Sequence, residues 1–208
     1  MRIAWCGRWY GISDGYLSSS SGDMLCSRHP LGMVYFPYMF SAPEKNIEQL
    51  HLQHNQIVAD FGAGSGAYTL AAAAALEGTG NVYAVDVQKD LLARLESTCR
   101  DAHVGNVSFI WGNLEKIGGT KLIDQSVDVV IVSNVLFQAE DKKKLVEEAR
   151  RVLKQGGTLL IVDWTSSFNN LGPAPEQVFP EIEARKLVES ANFSFDRALN
   201  AGNFHYGL

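Results

Sequence analysis

The stretch "VADFGAGSGAYT", residues 58–69, constrains the fold more than any other part of the chain. An apolar run reaches Phe61, glycines stand at 62, 64 and 66, and an alanine-rich segment follows. Glycine admits positive φ and carries no Cβ, so a chain with three of them at alternate positions turns sharply and lets another group approach its backbone. A strand entering such a turn and a helix leaving it make the first half of a βαβ unit. The N–H groups that open the helix then face whatever lies above the turn.

The chain beyond this turn keeps alternating. Short segments rich in Val, Ile and aromatics lie at 56–62, 81–87, 107–113, 127–134 and 157–164, apolar on both faces, as strands of a parallel sheet covered on both sides are. Helix patterns occupy 67–78, 89–102, 141–157 and 180–192, and the third has Leu145, Val146, Ala149, Val152 and Leu153 on one stripe with "QGG" to end it. Upstream, Ser41, Pro43 and Glu44 read as N-cap, first turn and capping box of a short helix reaching Leu50. "FSFDRALNAGNFHYGL" (193–208) reads as a hairpin turning at "NAGN". The expected fold is α/β: a doubly wound, Rossmann-like three-layer sandwich, with a mostly parallel sheet and an antiparallel strand from the C-terminal hairpin. Residues 1–40, rich in Gly and Ser with scattered aromatics, read as an irregular extension or partial lid before a ligand-binding domain over 41–208.

Composition narrows the partners. The net charge of −5 argues against nucleic acid, and no apolar run approaches the roughly 18 residues of a membrane span. The first residues lack the apolar core of a secretory signal, and Cys6, Cys26 and Cys99 form neither a C-x-x-C pair nor a zinc pattern, so a cytoplasmic protein without a metal is expected. His51 and His54 stand three apart with no third ligand in sight, and "DKKK" (141–144) reads as a solvated helix start.

In an open α/β sheet, ligands sit beyond the carboxyl ends of the strands where strand order reverses, which is where the glycine turn falls. "GAGSGA" also satisfies the G-x-G-x-x-G/A dinucleotide pattern, so the turn alone leaves NAD open. Asp60 beside the turn would repel a pyrophosphate but suits a ligand with an ammonium group and no phosphate, such as S-adenosyl-L-methionine. Asp86, at the end of the second strand and 24 residues after Gly62, can accept bonds from two ribose hydroxyls in either ligand.

"VADFGAGSG", "YAVDV", "WGNLEK", "VDVVIVSNVLF" and "EARRVLKQGGTLLIVDW" together resemble, in order and spacing, the consecutive motifs of class I S-adenosylmethionine-dependent methyltransferases, and the resemblance covers about residues 41–208. The branch it is most similar to is the small-molecule one that includes ubiquinone/menaquinone-type and arsenite-type enzymes. The resemblance implies that Asp60, Phe61, Gly62, Ala63, Gly64, Ser65 and Gly66 surround the methionine part of the cofactor, that Asp86 binds the ribose, and that Val87 and Leu114 flank the adenine. It places Gly112 and Asn113 at the adenine amine, where the family usually has an acid, and Ser133, Asn134 and Val135 along the cofactor and transfer site. An Asn carbonyl can accept the same bond without the charge.

Methyl transfer from a sulfonium is an in-line displacement that needs the acceptor held about 3 Å from the methyl group, and a dedicated base is optional. The catalytic residue is therefore left unassigned, with Asn134 and His205 as candidates, and Asp163, Trp164 and Tyr206 as further residues on the acceptor side. An arsenite acceptor would call for gathered cysteines, which the chain's spacing does not offer. Two rival readings remain at this point: a non-catalytic cofactor-binding relic, and an NAD-dependent oxidoreductase.

Overall fold

A computed structural model describes residues 42–168 and 172–208. The expected extension over 1–40 and the Ser41 cap lie outside these residues. The helices are α1 (Pro43–Glu48), α2 (Ala67–Ala75), α3 (Lys89–Asp101), α4 (Lys142–Val152) and α5 (Glu181–Ser190). The strands are β1 (Ile57–Phe61), β2 (Asn81–Asp86), β3 (Val107–Trp111), β4 (Val127–Ser133), β5 (Leu153–Trp164) and β6 (His205–Gly207). They form one sheet in the order β3-β2-β1-β4-β5-β6, parallel throughout except for the β5–β6 pair. Successive strands run outward from β1 in one direction and from β4 in the other, so strand order reverses between β1 and β4.

Strand alternation assigns the two faces. Val58, Val82, Val129, Ile131, Leu160 and Val162 pack against Ile47 of α1 and the alanines of α2. Ala84 meets Leu92, Leu95 and Cys99 of α3 on the same side. The opposite residues, Ala59, Phe61, Val85, Val130, Val132 and Ile161, pack beneath Leu145, Val146, Ala149 and Val152 of α4 and Ala184 of α5. Both faces are covered, which is why the strands read as continuous apolar runs. The even residues of β1 and β2 point to the α2–α3 side, and this register carries Asp60 and Asp86 to the same side of the sheet.

Three local expectations need correction. The N-cap of α1 is Ala42, with no side-chain cap bond. The glycines of "QGG" do not end α4: the helix stops at Val152, and Leu153, extended and buried, begins the next strand directly. Leu153 pairs with Val127 and Thr158 with Val129, so three extra residues of β5 bulge outward, with Gly156 at φ +78°. A glycine pair after an amphipathic run suits a helix stop and a strand bulge equally well, and pairing with β4 decides between them. The C-terminal hairpin is reduced to β6 and a single Leu199–Gly207 bridge; residues 193–197 form no strand.

β6 covers Val162–Trp164, and Ile161 exchanges two hydrogen bonds with Leu208. Nearer its start, β5 borders a cavity of about 430 Å³ lined by Leu159, Phe193, Phe195 and the cations Arg150, Lys154, Arg185 and Arg197, among others. Among the described residues no helix is long and apolar enough to cross a membrane.

Candidate functional site

The glycine turn lies at the reversal of strand order. Gly62, Gly64 and Gly66 have φ of +82°, +54° and +87°, where side chains are strained. The Gly62 and Ala63 N–H groups donate to the Val85 carbonyl at 2.8 and 3.1 Å, tying the turn to β2. A Cβ on Gly62 would stand 2.5 Å from Val135 Cγ2 and 3.8 Å from Leu114 Cδ1, and one on Gly66 would stand 2.0 Å from Leu95 Cδ1. These two glycines permit close packing, and the first brings residues 62, 114 and 135 to one point. Gly64 is different: its Cβ would meet only the Gly62 carbonyl oxygen, at 3.7 Å, so open space adjoins it. Phe61 is fully buried beneath α4, leaving only its peptide group at the turn, while Ala63 is buried toward α3 and Ser65 is exposed.

The two acids are wired differently. Asp60 is buried and accepts the Thr69 hydroxyl at 2.6 Å. Thr69 lies in the first turn of α2, whose own N-cap, Gly66, has no side chain to offer, so a carboxylate from β1 serves the helix start. Burial lifts the Asp60 carboxyl to about 6; the bond from Thr69 pulls the other way, and the charge of Asp86 adds to the rise. A cation placed above the turn would favour the ionised form. Asp86 accepts the Gly64 N–H through Oδ2 at 2.9 Å and the Gln88 N–H through Oδ1 at 2.8 Å. A carboxylate has about four acceptor sites, so each oxygen keeps capacity for a hydroxyl.

Beyond Asp86 the site continues along β2 and β3. Val87 is 54 % exposed and Trp111 52 %. The Trp111 indole donates to the Val87 carbonyl at 3.0 Å, and the Lys89 ammonium sits 3.9 Å from its ring centroid. Gly112 N–H donates to the Asp86 carbonyl at 3.0 Å, which joins the β3 end to that acid. Asn113 is exposed, and its side-chain carbonyl accepts the Glu115 N–H at 2.8 Å, leaving one further acceptor site.

Across the turn, Ser133 ends β4 and Asn134 takes φ +56°, a left-handed conformation that Asn tolerates. Its backbone is engaged, N–H to the Val162 carbonyl and carbonyl to the Gln138 side chain, but its buried Oδ1 has no partner. Asp163, fully buried, accepts the Phe137 N–H at 3.2 Å and the Trp164 N–H at 2.8 Å, and so pins the segment that follows Asn134 and Val135. Burial raises its carboxyl to about 6 against those N–H groups and Lys142. His205 is 4 % exposed, lies 4.3 Å from the Trp164 ring, and has no partner for either ring nitrogen. Burial holds its pKa down at about 4, so it is neutral at ordinary pH and poorly matched to the general-base role. A neutral imidazole can still donate one hydrogen bond and accept another. The next residue, Tyr206, faces the other side of the sheet and donates to the Phe179 carbonyl. His51 and His54 are elsewhere and exposed, His54 beside Glu77 at 3.6 Å.

Sequence reasoning missed Glu148 and Arg151. Glu148 is fully buried in α4 and takes bonds from Gly118, Thr120 and Arg151. The signal was present: position 148 falls three after Leu145 and four before Val152, inside the apolar stripe, where an unpaired carboxylate is not tolerated.

The comparisons with known proteins agree with this geometry. A family model described as "Methyltransferase domain" matches residues 59–161. Human arsenite methyltransferase is 31 % identical over 135 residues, covering 62 % of this chain and 34 % of its own length. A ubiquinone/menaquinone biosynthesis C-methyltransferase of Vibrio campbellii is 32 % identical over 162 residues, 71 % of this chain and 61 % of its own. The chain thus spans less than two thirds of either relative. A crystal structure of a SAM-dependent methyltransferase from Aquifex aeolicus superposes with a TM-score of 0.73 at 28 % identity, covering 81 % of this chain and 88 % of that one.

Proposed function

The chain belongs to the class I S-adenosylmethionine-dependent methyltransferase family, and from that premise we propose that it methylates a small-molecule acceptor with S-adenosylmethionine by in-line displacement. When bound, the cofactor supplies a methyl group already activated on a sulfonium. The protein's part is to bind, orient and exclude water. The observation that carries this reading is Asp86: both its oxygens are held by N–H groups of the turns that flank it, and both keep a free acceptor site for a ribose diol.

Residues 41–208 are the cofactor-binding unit. The space beside Gly64 takes the methionine part, with Asp60 supplying negative charge beneath it. Val87 and Leu114 face the adenine, and Gly112 and Asn113 lie at its edge. Asn134 offers its unpartnered Oδ1 at the carboxyl end of β4, where it orients an acceptor O–H or N–H. His205 hydrogen-bonds the acceptor from the Trp164 side and takes no proton.

Calorimetry with S-adenosylhomocysteine and with NAD, followed by single-turnover transfer of labelled methyl groups into a metabolite extract, tests the reading. Micromolar binding of the first and none of the second is expected, with label appearing in a small molecule. Binding of NAD alone would overturn the cofactor, and tight binding with no transfer to any extract would mark a relic.

A further inference from the structure

We propose that Glu148 is a positioning residue for the adenine side of the cleft: from α4 it fixes the loop 112–124, and through it Gly112, Asn113 and Leu114. This rests on the cofactor reading above. The carboxylate accepts the Gly118 N–H at 2.7 Å, the Thr120 N–H at 3.2 Å and the Thr120 hydroxyl, and Arg151 adds bonds from Nε at 2.8 Å and Nη2 at 2.7 Å. The same guanidinium donates to the Leu122 carbonyl at 2.9 Å and pairs with Asp124. Positions 118, 120, 122 and 124 are thereby stapled to one turn of α4, though no regular element runs through this loop.

The staple reaches the cleft by direct contact. Asn113 N–H donates to the Gly119 carbonyl at 3.1 Å. A Cβ on Gly112 would stand 2.6 Å from the Gly119 oxygen, and one on Gly119 would stand 2.1 Å from the Asn113 oxygen. The two backbones touch, so moving residues 118–120 moves residues 112–114. Leu114 in turn packs toward Gly62, and Gly112 hangs from Asp86. Burial alone would raise the Glu148 carboxyl, but its bonds from Arg151, Thr120 and Gly118 outweigh that and hold it below the ordinary range, so the staple persists into mild acid. If Glu148 served only the stability of α4, its partners would be α4 and the sheet; apart from Arg151 they all belong to the loop.

The test uses the full chain with Thr120→Val, which removes the hydroxyl with its bonds to Glu148, Arg151 and the Leu122 N–H but leaves no unpaired charge, and Glu148→Gln, which keeps the shape. Hydrogen-exchange mass spectrometry reads the loop without any ligand. Exchange over 112–122 should rise about tenfold in both variants while β1, β2 and β5 stay protected. Affinity for S-adenosylhomocysteine should fall about tenfold for Glu148→Gln and about threefold for Thr120→Val, and preference over the inosyl analogue should shrink with it. Unchanged exchange in the loop overturns the proposal, whatever the ligand result. A loop that loosens while affinity and base preference stay as in the wild type also overturns it. Should the wild-type chain bind no nucleoside at all, the cofactor reading falls, and with it the positioning role.

Discussion

The β1–β3 half of the cleft and the β4–β6 half are built on opposite plans. In the first, the turn and its acids are tied to one another: the Gly62 turn to Val85, Asp60 to Thr69, Asp86 to Gly64 and Gln88, Gly112 back to Asp86. In the second, the backbone is pinned by Asp163, but the side chains that reach inward are left without partners, Oδ1 of Asn134 and both ring nitrogens of His205. Buried polar atoms are nearly always satisfied, so the orphans of the second half are where we propose that a ligand completes the bonding. In the proposed function, one half is preformed for a ligand of fixed chemistry, and the other presents hydrogen-bonding capacity to whatever is brought there.

The sharpest way to break this contrast is at the packing glycine. Gly66→Ala forces a Cβ into Leu95 at a positive φ, and a loss of about 3 kcal/mol in denaturant unfolding is expected. Asn134→Gly, which only relieves a left-handed residue, should leave stability within about 1 kcal/mol of wild type. Similar losses in both would erase the distinction. Next comes Asp86→Ala, which frees the Gly64 and Gln88 N–H groups and removes the proposed diol acceptor; binding of S-adenosylhomocysteine should weaken by about 1.5–3 kcal/mol in calorimetry.

The pH dependence sharpens the other half. The folded-state pKa of His205 is held near 4, below its usual 6.5, so the unfolded chain takes up a proton first and stability drains away as pH falls from 6.5 toward 4. His205→Leu removes that loss and should gain about 2 kcal/mol on wild type at pH 5 in urea melts. Asp60 and Asp163 act with the opposite sign. Their raised pKa values favour the fold in acid, and that contribution is lost between about 4 and 6 as pH rises, so the wild-type curve is flattened where the variant's should slope upward into acid. The smallest effect is on turnover: Asn134→Ala should slow methyl transfer about tenfold, near 1.4 kcal/mol, with cofactor affinity unaltered. A shift in affinity instead would place Asn134 with the preformed half.

What the sequence revealed follows the same division. Strand placement was legible because a doubly covered sheet demands apolar residues on both faces, and the glycine turn because its spacing has few other uses. Asp86 could be named as a candidate by its place at a strand end. The start of β5 was misread because Lys154, Gln155 and Gly156 look like a helix stop, and only pairing of Leu153 with Val127 shows that they bulge from a strand. The hairpin was over-read: Phe193 and Phe195 alternate like a strand, yet Phe193 packs on the α4–α5 side and Arg185 covers Phe195. Asn134 and His205 could be named from position, but their lack of partners is a property of three-dimensional neighbours that no local pattern encodes. Glu148 was overlooked beside Glu147, although its spacing from Leu145 and Val152 sets it alone of the two on the inward face.

The open stretch of β5 has a consequence for how this protein behaves in company. Among the described residues no strand pairs with the outer side of β5 ahead of Ile161, and peptide groups left so invite an extended chain to pair with them, including an identical molecule. Arg150, Lys154, Arg185 and Arg197 border that stretch, three of them paired with Asp128, Glu189 and Asp196, so an approaching copy would meet a salt-bridged, charged rim rather than a bare apolar edge.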